Sequence, residues 1–202
     1  TAVQISSPGS SWYNIFSIDY LGLFTENEAI EMLTTLSQKS GNILTEGECH
    51  FLMDIFGNFP FFLQSAGLYL MNDNDFRSSN QSTRKQAFTK VIPQAIYSLN
   101  NFHINYLLNH LDAEALLLLK KISDGKKPSS AKDEMLFWKL SKLGLIVETK
   151  EKPSLSSLIL REAINSIQEK ELLNWDKVRD FTLRTIETVT MEAMKVAINK
   201  YL

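Results

Sequence analysis

The stretch that decides the fold is Gly57-Asn-Phe-Pro-Phe-Phe-Leu-Gln-Ser-Ala-Gly-Leu-Tyr-Leu70. Glycine closes helices because it adopts positive φ without steric cost, and proline suits a first helical turn because it has no N–H to leave unpaired. We therefore expect one helix to end at Gly57 with left-handed backbone angles and another to start at Pro60, which makes a rigid corner. The residues of the second helix that we expect to pack tightly are Phe61, Leu63, Ala66, Gly67 and Leu70.

Two Thr-x-x-Glu sequences upstream of the corner predict where earlier helices start. In Thr25-Glu26-Asn27-Glu28 and Thr45-Glu46-Gly47-Glu48, the hydroxyl caps a helical N–H while the glutamate reaches back to the cap residue. The first helix is predicted to run to about Lys39 and to close at Gly41, and the second to reach Phe56. Together with the helix that starts at Pro60, these two helices predict a small α-helical bundle.

A loop and a long helix are predicted after the bundle. Asn72–Gln81 is polar and rich in turn-forming residues, so it reads as a loop. The helix then covers about Ser82–His110. Pro93 should interrupt and kink this helix, since proline lacks the N–H donor and its ring clashes with the preceding turn.

Helices followed by a hairpin are predicted next, an order typical of a winged helix. Asp112 can cap one helix, and Ser129, Ser130 or Asp133 offers a start for the next, which ends near Gly144. The β-like run Leu145–Thr149 and the segment after Pro153 then predict two short strands. The residues of the first of these helices that we expect in the core are Ala115, Leu116, Leu118 and Leu119.

Two helices are predicted after the hairpin. Ser156 or Ser157 can cap one that runs to about Lys170, and Asn174 a long one that continues to the C-terminus. Apolar residues recur along the last helix at spacings of three to five, and such a stripe must be covered by its own domain or by another chain. We favour a protein partner or self-association through Trp175–Leu202. The stripe consists of Trp175, Val178, Phe181, Ile186, Val189, Met194 and Ile198.

Charge is distributed unevenly along the chain, although the net charge is only −2. Residues 1–75 contain nine acidic side chains and one basic side chain, whereas residues 76–111 contain four basic side chains and no acidic one. The acidic part is a poor surface for nucleic acid. Apolar runs are too short to cross a bilayer, and the single cysteine excludes an internal disulfide, so we expect a cytoplasmic protein without a membrane partner.

Catalytic and metal-binding patterns are not apparent. The chain contains no Gly-x-x-x-x-Gly-Lys-Ser/Thr sequence, so it cannot hydrolyse ATP by that machinery. Cys49 and His50 are adjacent, which points their side chains about 100° apart on a helix and argues against a nucleophile–base pair. His103 and His110 lack further metal ligands nearby. We expect no catalytic or metal residues and no enzyme activity of this chain alone.

DNA binding by the winged helix is an alternative. The helix 133–142 would enter the groove, but it contains no arginine, asparagine or glutamine, the side chains that most often read base edges. The predicted tip of the hairpin, Lys150-Glu151-Lys152, has one acidic residue between two lysines. Protein packing is therefore our first interpretation. The candidate nucleic-acid residues of the alternative are Lys132, Lys139, Lys142, Lys150 and Lys152.

The sequence Gly57-x-x-Pro60 followed by Phe-Phe-Leu-Gln resembles the glycine–proline corner in the helical lid of STAND nucleotide switches, a branch of the AAA-type P-loop ATPases. The order of the other predicted elements is similar to that family. Residues 1–24, with a strand-like run at 15–21, look like the exit from a nucleotide-binding core that this chain lacks. The remaining parts look like the lid (25–75), the connecting helix (76–111), the winged helix (112–160) and C-terminal helices (161–202).

The resemblance implies a regulatory role in signal transduction without catalysis, as a nucleotide-dependent conformational switch. In that family the corner lies against adenine and the proline touches the base. The fragment alone would hold no cofactor, whereas its full-length parent would bind ATP or ADP through a P-loop nucleotide-binding core. Origin-recognition ATPases also join a lid to a winged helix, but their lid arginine has no counterpart in residues 1–75. The adenine-facing residues implied here are Gly57, Phe59, Pro60 and Phe61.

One departure from the family concerns the winged helix. Some relatives place a histidine motif there to sense the phosphates, and 154–160 contains no histidine. Phosphate sensing by this part of the chain is therefore not expected.

Overall fold

The structure, a computed structural model, describes residues 22–77, 80–99, 110–148, 152–167 and 196–201. It is mainly α-helical, with one short two-stranded antiparallel hairpin in this part of the chain. The N-terminal helices are α1 (Glu26–Lys39), α2 (Glu46–Phe56), α3 (Pro60–Met71) and α4 (Gln81–Leu99). They are followed by α5 (Ala113–Ser123), α6 (Ala131–Lys142), β1 (Ile146–Glu148), β2 (Pro153–Leu155) and α7 (Leu158–Ser166).

The helix starts follow the capping sequences. In the first capping box, the Thr25 N–H donates to Glu28 Oε2 at 2.8 Å and the Glu28 N–H donates to the Thr25 hydroxyl at 3.4 Å. The box at Thr45 has the same two bonds. Both predicted starts are confirmed. Three of the other predicted caps are also confirmed, namely Asp112, Ser130 and Ser157, whereas Asn174 lies outside the described residues.

Two helices differ from the prediction. α7 ends at Ser166, because Ile167 is extended, and it does not reach Lys170. α4 continues through Pro93 as one helical element. Proline removes one backbone hydrogen bond, and the buried side chains on both sides of it, Ile92 and Ala95, hold the helix against its neighbours. The predicted strand at 15–21, the part of the long helix at 100–109 and most of the Trp175 stripe lie outside the described residues.

The helices and the hairpin share one continuous hydrophobic core. α1 packs on α2 and α3, while α3 also packs on α2 and α4. In the second group, α5 packs on α6, α7 and β2, and β1 pairs with β2 in the register Ile146 to Leu155. α2 and α7 join the two groups. The four core residues predicted in α5 are all buried.

The helical residues 196–201 lie against α2. The Tyr201 hydroxyl donates to Asp54 at 2.7 Å, and burial, followed by this hydrogen bond, raises the pKa of Tyr201. A Cβ built on Gly47 would lie only 2.9 Å from the Tyr201 carbonyl oxygen. Ile198 is 7% exposed. This end of the predicted apolar stripe is therefore covered by the chain itself.

A buried ion pair fastens α4 to α2. The Arg84 guanidinium donates from Nη2 to Glu48 Oε2 at 2.7 Å and from Nε to Glu48 Oε1 at 3.1 Å. It also donates to the carbonyl oxygens of Ile43 and Phe76 and lies 4.3 Å from the centre of the Phe76 ring. Glu48, which is 5% exposed, thus completes the capping box and binds Arg84 as well.

Two other basic residues of the segment 76–111 also form ion pairs or hydrogen bonds within the molecule. Lys90 lies 3.0 Å from Asp73 and 3.5 Å from Asp75, and Arg77 donates to a backbone carbonyl of α3. Burial raises the pKa of Asp73, but hydrogen bonds from Lys90 and from two backbone N–H groups lower it more, so the pKa lies below its usual value. The uneven charge along the sequence therefore reflects pairing between neighbouring segments.

Replacing Arg84 with alanine should reduce the free energy of unfolding by about 3–5 kcal/mol, because it leaves the Glu48 carboxylate buried without its partner. Urea denaturation monitored by circular dichroism measures the change. Lys90→Ala, which removes an exposed ion pair, is the control and should change the midpoint little. The double variant Glu48→Gln/Arg84→Met should lose less stability than Arg84→Ala alone. Equal midpoints for Arg84→Ala and Lys90→Ala would contradict this interpretation.

The thiol of Cys49 should be unreactive in the folded protein. Burial, followed by the charges of Glu48 and Glu46, raises its pKa to about 11, and the side chain is fully buried. At pH 8 only about 0.1% of the thiol would be ionised, and the thiolate is the nucleophile. Ellman's reagent should therefore label no thiol in native protein and one per chain in guanidinium chloride. Rapid labelling of the native protein would refute the buried placement.

Candidate functional site

The corner between α2 and α3 depends on an unusual glycine backbone. The Gly57 N–H donates to the Met53 carbonyl oxygen at 2.8 Å and closes α2. Gly57 has φ +67° and ψ −175°, a combination that is essentially restricted to glycine. Phe59 is extended, and α3 begins at Pro60 as predicted. The predicted positive φ is confirmed, but left-handed helical angles are wrong, because the extended ψ leads the chain directly into α3.

Asn58 attaches this corner to the segment before α1. The Phe24 N–H donates to the Asn58 carbonyl oxygen at 3.0 Å, and the Asn58 side-chain amide donates to the Phe24 carbonyl oxygen, also at 3.0 Å. Two reciprocal hydrogen bonds hold two segments in one relative position. These two hydrogen bonds therefore hold the corner against the segment that precedes α1.

The opposite side of Gly57 touches the turn between β2 and α7. A Cβ built on Gly57 would lie 2.4 Å from the Ser156 carbonyl oxygen and 3.0 Å from the Ser157 Cβ. Ser157 caps α7 by accepting the Leu160 N–H at 3.2 Å. The glycine therefore brings the corner into direct contact with the start of α7, and a side chain at this position would push the two apart.

A second glycine completes the contact between the corner and the hairpin group. Gly144 follows α6 with φ +74°, which turns the chain towards β1. A Cβ built there would lie 3.0 Å from the Leu23 side chain and 3.4 Å from the Phe59 ring. Phe59 and Leu23 thus pack over Gly144. Two glycines far apart in sequence allow this close approach.

The exposed part of the corner is apolar. The rings of Phe59 and Phe62 are 4.9 Å apart, and Pro60 is half-buried. Phe61 is 50% exposed, so the prediction that it packs tightly with the other residues of α3 is wrong. α3 contains no charged side chain. Such a surface suits a planar uncharged ring better than a phosphate, which needs N–H donors or cations.

The four residues predicted to face adenine therefore lie together, but they differ in access. Gly57 is covered by Ser156, and Phe59 is partly covered by Gly144. Pro60 is half-buried like Phe59, and Phe61 is the most exposed of the four. Phe61 is therefore the residue of the corner that is most open to a ligand.

The candidate nucleic-acid lysines have different surroundings. Lys132 forms an ion pair with Glu114 at 2.5 Å. Lys139 and Lys142 are exposed on the same helix, α6. Lys152 is exposed, and its Nζ lies near Gly125 in the turn after α5. Lys150 lies outside the described residues.

The His50 side chain contacts acidic and aromatic residues. The two ring nitrogens of His50 lie 3.7 Å from the carboxylates of Glu26 and Glu46, and the ring stacks on Tyr201. In the part of the chain that the structure describes, no group of three or more histidine, cysteine and acidic residues could hold a metal ion. Within the same ranges, no helix has both the length and the apolar character required to cross a membrane.

No protein-family model, curated protein or solved structure matches this chain. The resemblance to STAND switches consequently depends on the residues quoted above. The corner is the site with the most specific geometry, and it is the basis of the proposal below.

Sequence reasoning did not find the residues that surround the corner. Asn58 stands between two predicted helices, but its pairing with Phe24 depends on the path of the chain before α1. Ser156 is distant in sequence, and no local pattern connects it to Gly57. The only signal was the glycine itself, since a glycine at a helix end also permits close backbone approach.

Gly57→Ala should destabilise the protein by on the order of 3 kcal/mol, because it combines an unfavourable φ with a clash against the Ser156 backbone. Gly41→Ala is the matched control. Gly41 has φ +80°, but a Cβ there would meet no atom within 4 Å, so only backbone strain of about 1 kcal/mol remains. Urea unfolding of both variants measures the difference. Equal losses would show that the contact with Ser156 contributes nothing.

Proposed function

We propose that this chain is the lid and winged-helix region of a STAND-type ATPase and that it acts as a nucleotide-dependent conformational switch without catalysis of its own. In this interpretation α1 to α3 form the lid, α4 belongs to the connecting helix, and α5, α6 and the hairpin form the winged helix. The nucleotide, ATP or ADP, would be held mainly by a P-loop core in the full-length parent.

The contact between Gly57 and the Ser156 turn is the observation that carries the proposal. The corner that would face adenine, if the resemblance holds, lies against the turn before α7. A displacement of Pro60 by a base would therefore act on the turn that begins α7. Interfaces of this kind, in which packed backbones leave no free space, respond by discrete shifts.

The exposed side of α3 supports the proposal that another protein domain packs beside the corner. Phe61 and Leu68 lie seven residues apart on one side of the helix and are 50% and 47% exposed. Tyr69 beside them is 39% exposed. Apolar side chains that remain exposed on one helix are typical of an interaction surface. A P-loop core packed on this side would cover them and would bring the phosphate-binding loop near Pro60.

The alternative function is DNA binding through α6. Lys139 and Lys142 favour it, since neither has a carboxylate partner among the described residues. The basic segment 76–111 contributes less than its composition indicates, because Arg84 and Lys90 are paired within the molecule. We therefore rank the nucleotide switch first.

The chain of residues 1–202 should bind ATP and ADP weakly or not at all, since the phosphate-binding loop is absent. Isothermal titration calorimetry tests this directly. In the full-length parent, a Gly-x-x-x-x-Gly-Lys-Ser/Thr sequence should precede Thr1. Micromolar ATP binding by residues 1–202, or a parent without a P-loop, would overturn the proposal.

A point variant in the parent tests the role of the corner. Pro60→Ala should weaken ADP binding by about tenfold, or 1.4 kcal/mol, because it removes a surface against the base. Pro128→Ala, in the loop between α5 and α6, is the control and should leave affinity unchanged. Thermal melting of both variants verifies that the fold is intact.

A further inference from the structure

Helix α6 exposes two large apolar side chains. It contributes Leu136 and Leu140 to the core, whereas Met135 and Trp138 are 66% and 59% exposed. Met135 and Trp138 are three residues apart, so they are neighbours on one side of the helix. Single exposed apolar residues are common on protein surfaces, but an adjacent methionine and tryptophan form a small anchor of the kind found at interfaces.

Three lysines and one exposed acidic residue, Glu134, which precedes Trp138 by one turn, surround this apolar pair. Lys132 precedes Met135 by one turn, Lys139 follows it by one turn, and Lys142 follows Trp138 by one turn. The Lys142 ammonium lies 5.7 Å from the Trp138 ring centroid. We call Lys132, Met135, Trp138, Lys139 and Lys142 the α6 outer face.

The positive charge of the α6 outer face is only partly neutralised. Lys132 is paired with Glu114. Lys139 and Lys142 are exposed, and neither has a carboxylate partner in the described part of the chain. Among the described residues, the face therefore offers two ammonium groups without a carboxylate partner, beside two apolar side chains and the exposed Glu134.

The helix that presents this face is held firmly at its start. Ser130 caps it, and Asp133 accepts from the Ser129 N–H at 3.2 Å and from Lys121 at 3.2 Å. The hydrogen bond from the Ser129 backbone is the main reason why the pKa of Asp133 is low, followed on the lowering side by that from Lys121. A preorganised helix loses little conformational freedom on binding, which favours recognition.

We propose that the α6 outer face binds an acidic amphipathic helix of another protein. Apolar side chains of that helix would cover Trp138 and Met135, and its carboxylates would pair with Lys139 and Lys142. Tryptophan is enriched among residues that dominate binding energy, and complementary charges at the rim give specificity. This inference is independent of the proposed nucleotide function.

DNA fits the face less well. Large apolar side chains at Met135 and Trp138 would occupy the middle of a helix that reads a groove, and α6 offers none of the side chains that bond base edges bidentately to guanine or adenine except lysine. An anionic membrane is also a poorer match, because two apolar side chains bury little area compared with a membrane-surface helix. Both surfaces are included as outcomes of the test.

Three synthetic helical peptides serve as probes. The first has leucines at i, i+3 and i+7 with flanking glutamates, the second replaces the glutamates with lysines, and the third replaces the leucines with serines. Fluorescence anisotropy of each labelled peptide is measured with residues 1–202. We expect the first to bind with a dissociation constant on the order of 10–100 µM, with weaker binding as salt is raised, and the other two to bind at least about tenfold more weakly.

Variants of the face then locate the binding site. Trp138→Ser and Lys139→Glu/Lys142→Glu should each weaken binding of the first peptide by about tenfold or more. Tyr97→Ser is the control for the tryptophan, since Tyr97 is also 59% exposed but lies on α4. Lys126→Glu/Lys127→Glu is the control for the charge change, and thermal melting verifies folding of all four.

Several results would overturn the proposal. They are no binding of the first peptide below about 1 mM, equal binding of the lysine peptide, or an affinity unchanged by Trp138→Ser. Tighter binding of a 20-base-pair duplex than of the first peptide, reduced by the Lys139/Lys142 variant, would assign the face to DNA. Stronger binding to phosphatidylserine vesicles than to the peptide, lost in Trp138→Ser, would assign it to a membrane.

Discussion

The close approach of the Gly57 backbone to the Ser156 carbonyl is the constraint on which the relation between the two halves of the molecule depends. No Cβ fits between them, and the backbone angles of Gly57 also require glycine. Around this contact, α2 packs on α7, and Phe59 and Leu23 pack over Gly144. The corner and the hairpin group consequently share one core. Because this core is closely packed, a displacement of one group would disturb the packing of the other.

Electrostatics reinforces the bundle independently of this contact. The Glu48 carboxylate accepts a hydrogen bond from the Thr45 N–H at the start of α2 and forms an ion pair with Arg84 of α4. Because both side chains are largely buried, either charge without its partner would destabilise the fold. Lys90 binds the acidic loop after α3. The two oppositely charged segments of the sequence are therefore neighbours in space, and two of the four basic residues in the first four helices, Arg84 and Lys90, form ion pairs within the molecule.

The two proposals depend on two different surfaces of the molecule. At the corner, Gly57 is buried, Phe59 and Pro60 are half-buried, and Phe61 is exposed, on a helix without charged side chains. On α6, apolar and positively charged side chains lie together on a rigid helix. The first surface suits a flat base and a nucleotide-binding core, and the second suits an acidic helix.

The amino-acid sequence by itself determined the helix starts, the corner and the hairpin, because caps, glycines and proline act on their immediate neighbours. It also identified the residues at the corner and the core of α5. Only the tertiary structure decided that Gly57 meets Ser156, that Arg84 binds Glu48 and that Phe61 and Trp138 stay exposed. These features depend on which distant segments pack together. Local propensity carries no information about such pairings, since packing free energy belongs to the whole core.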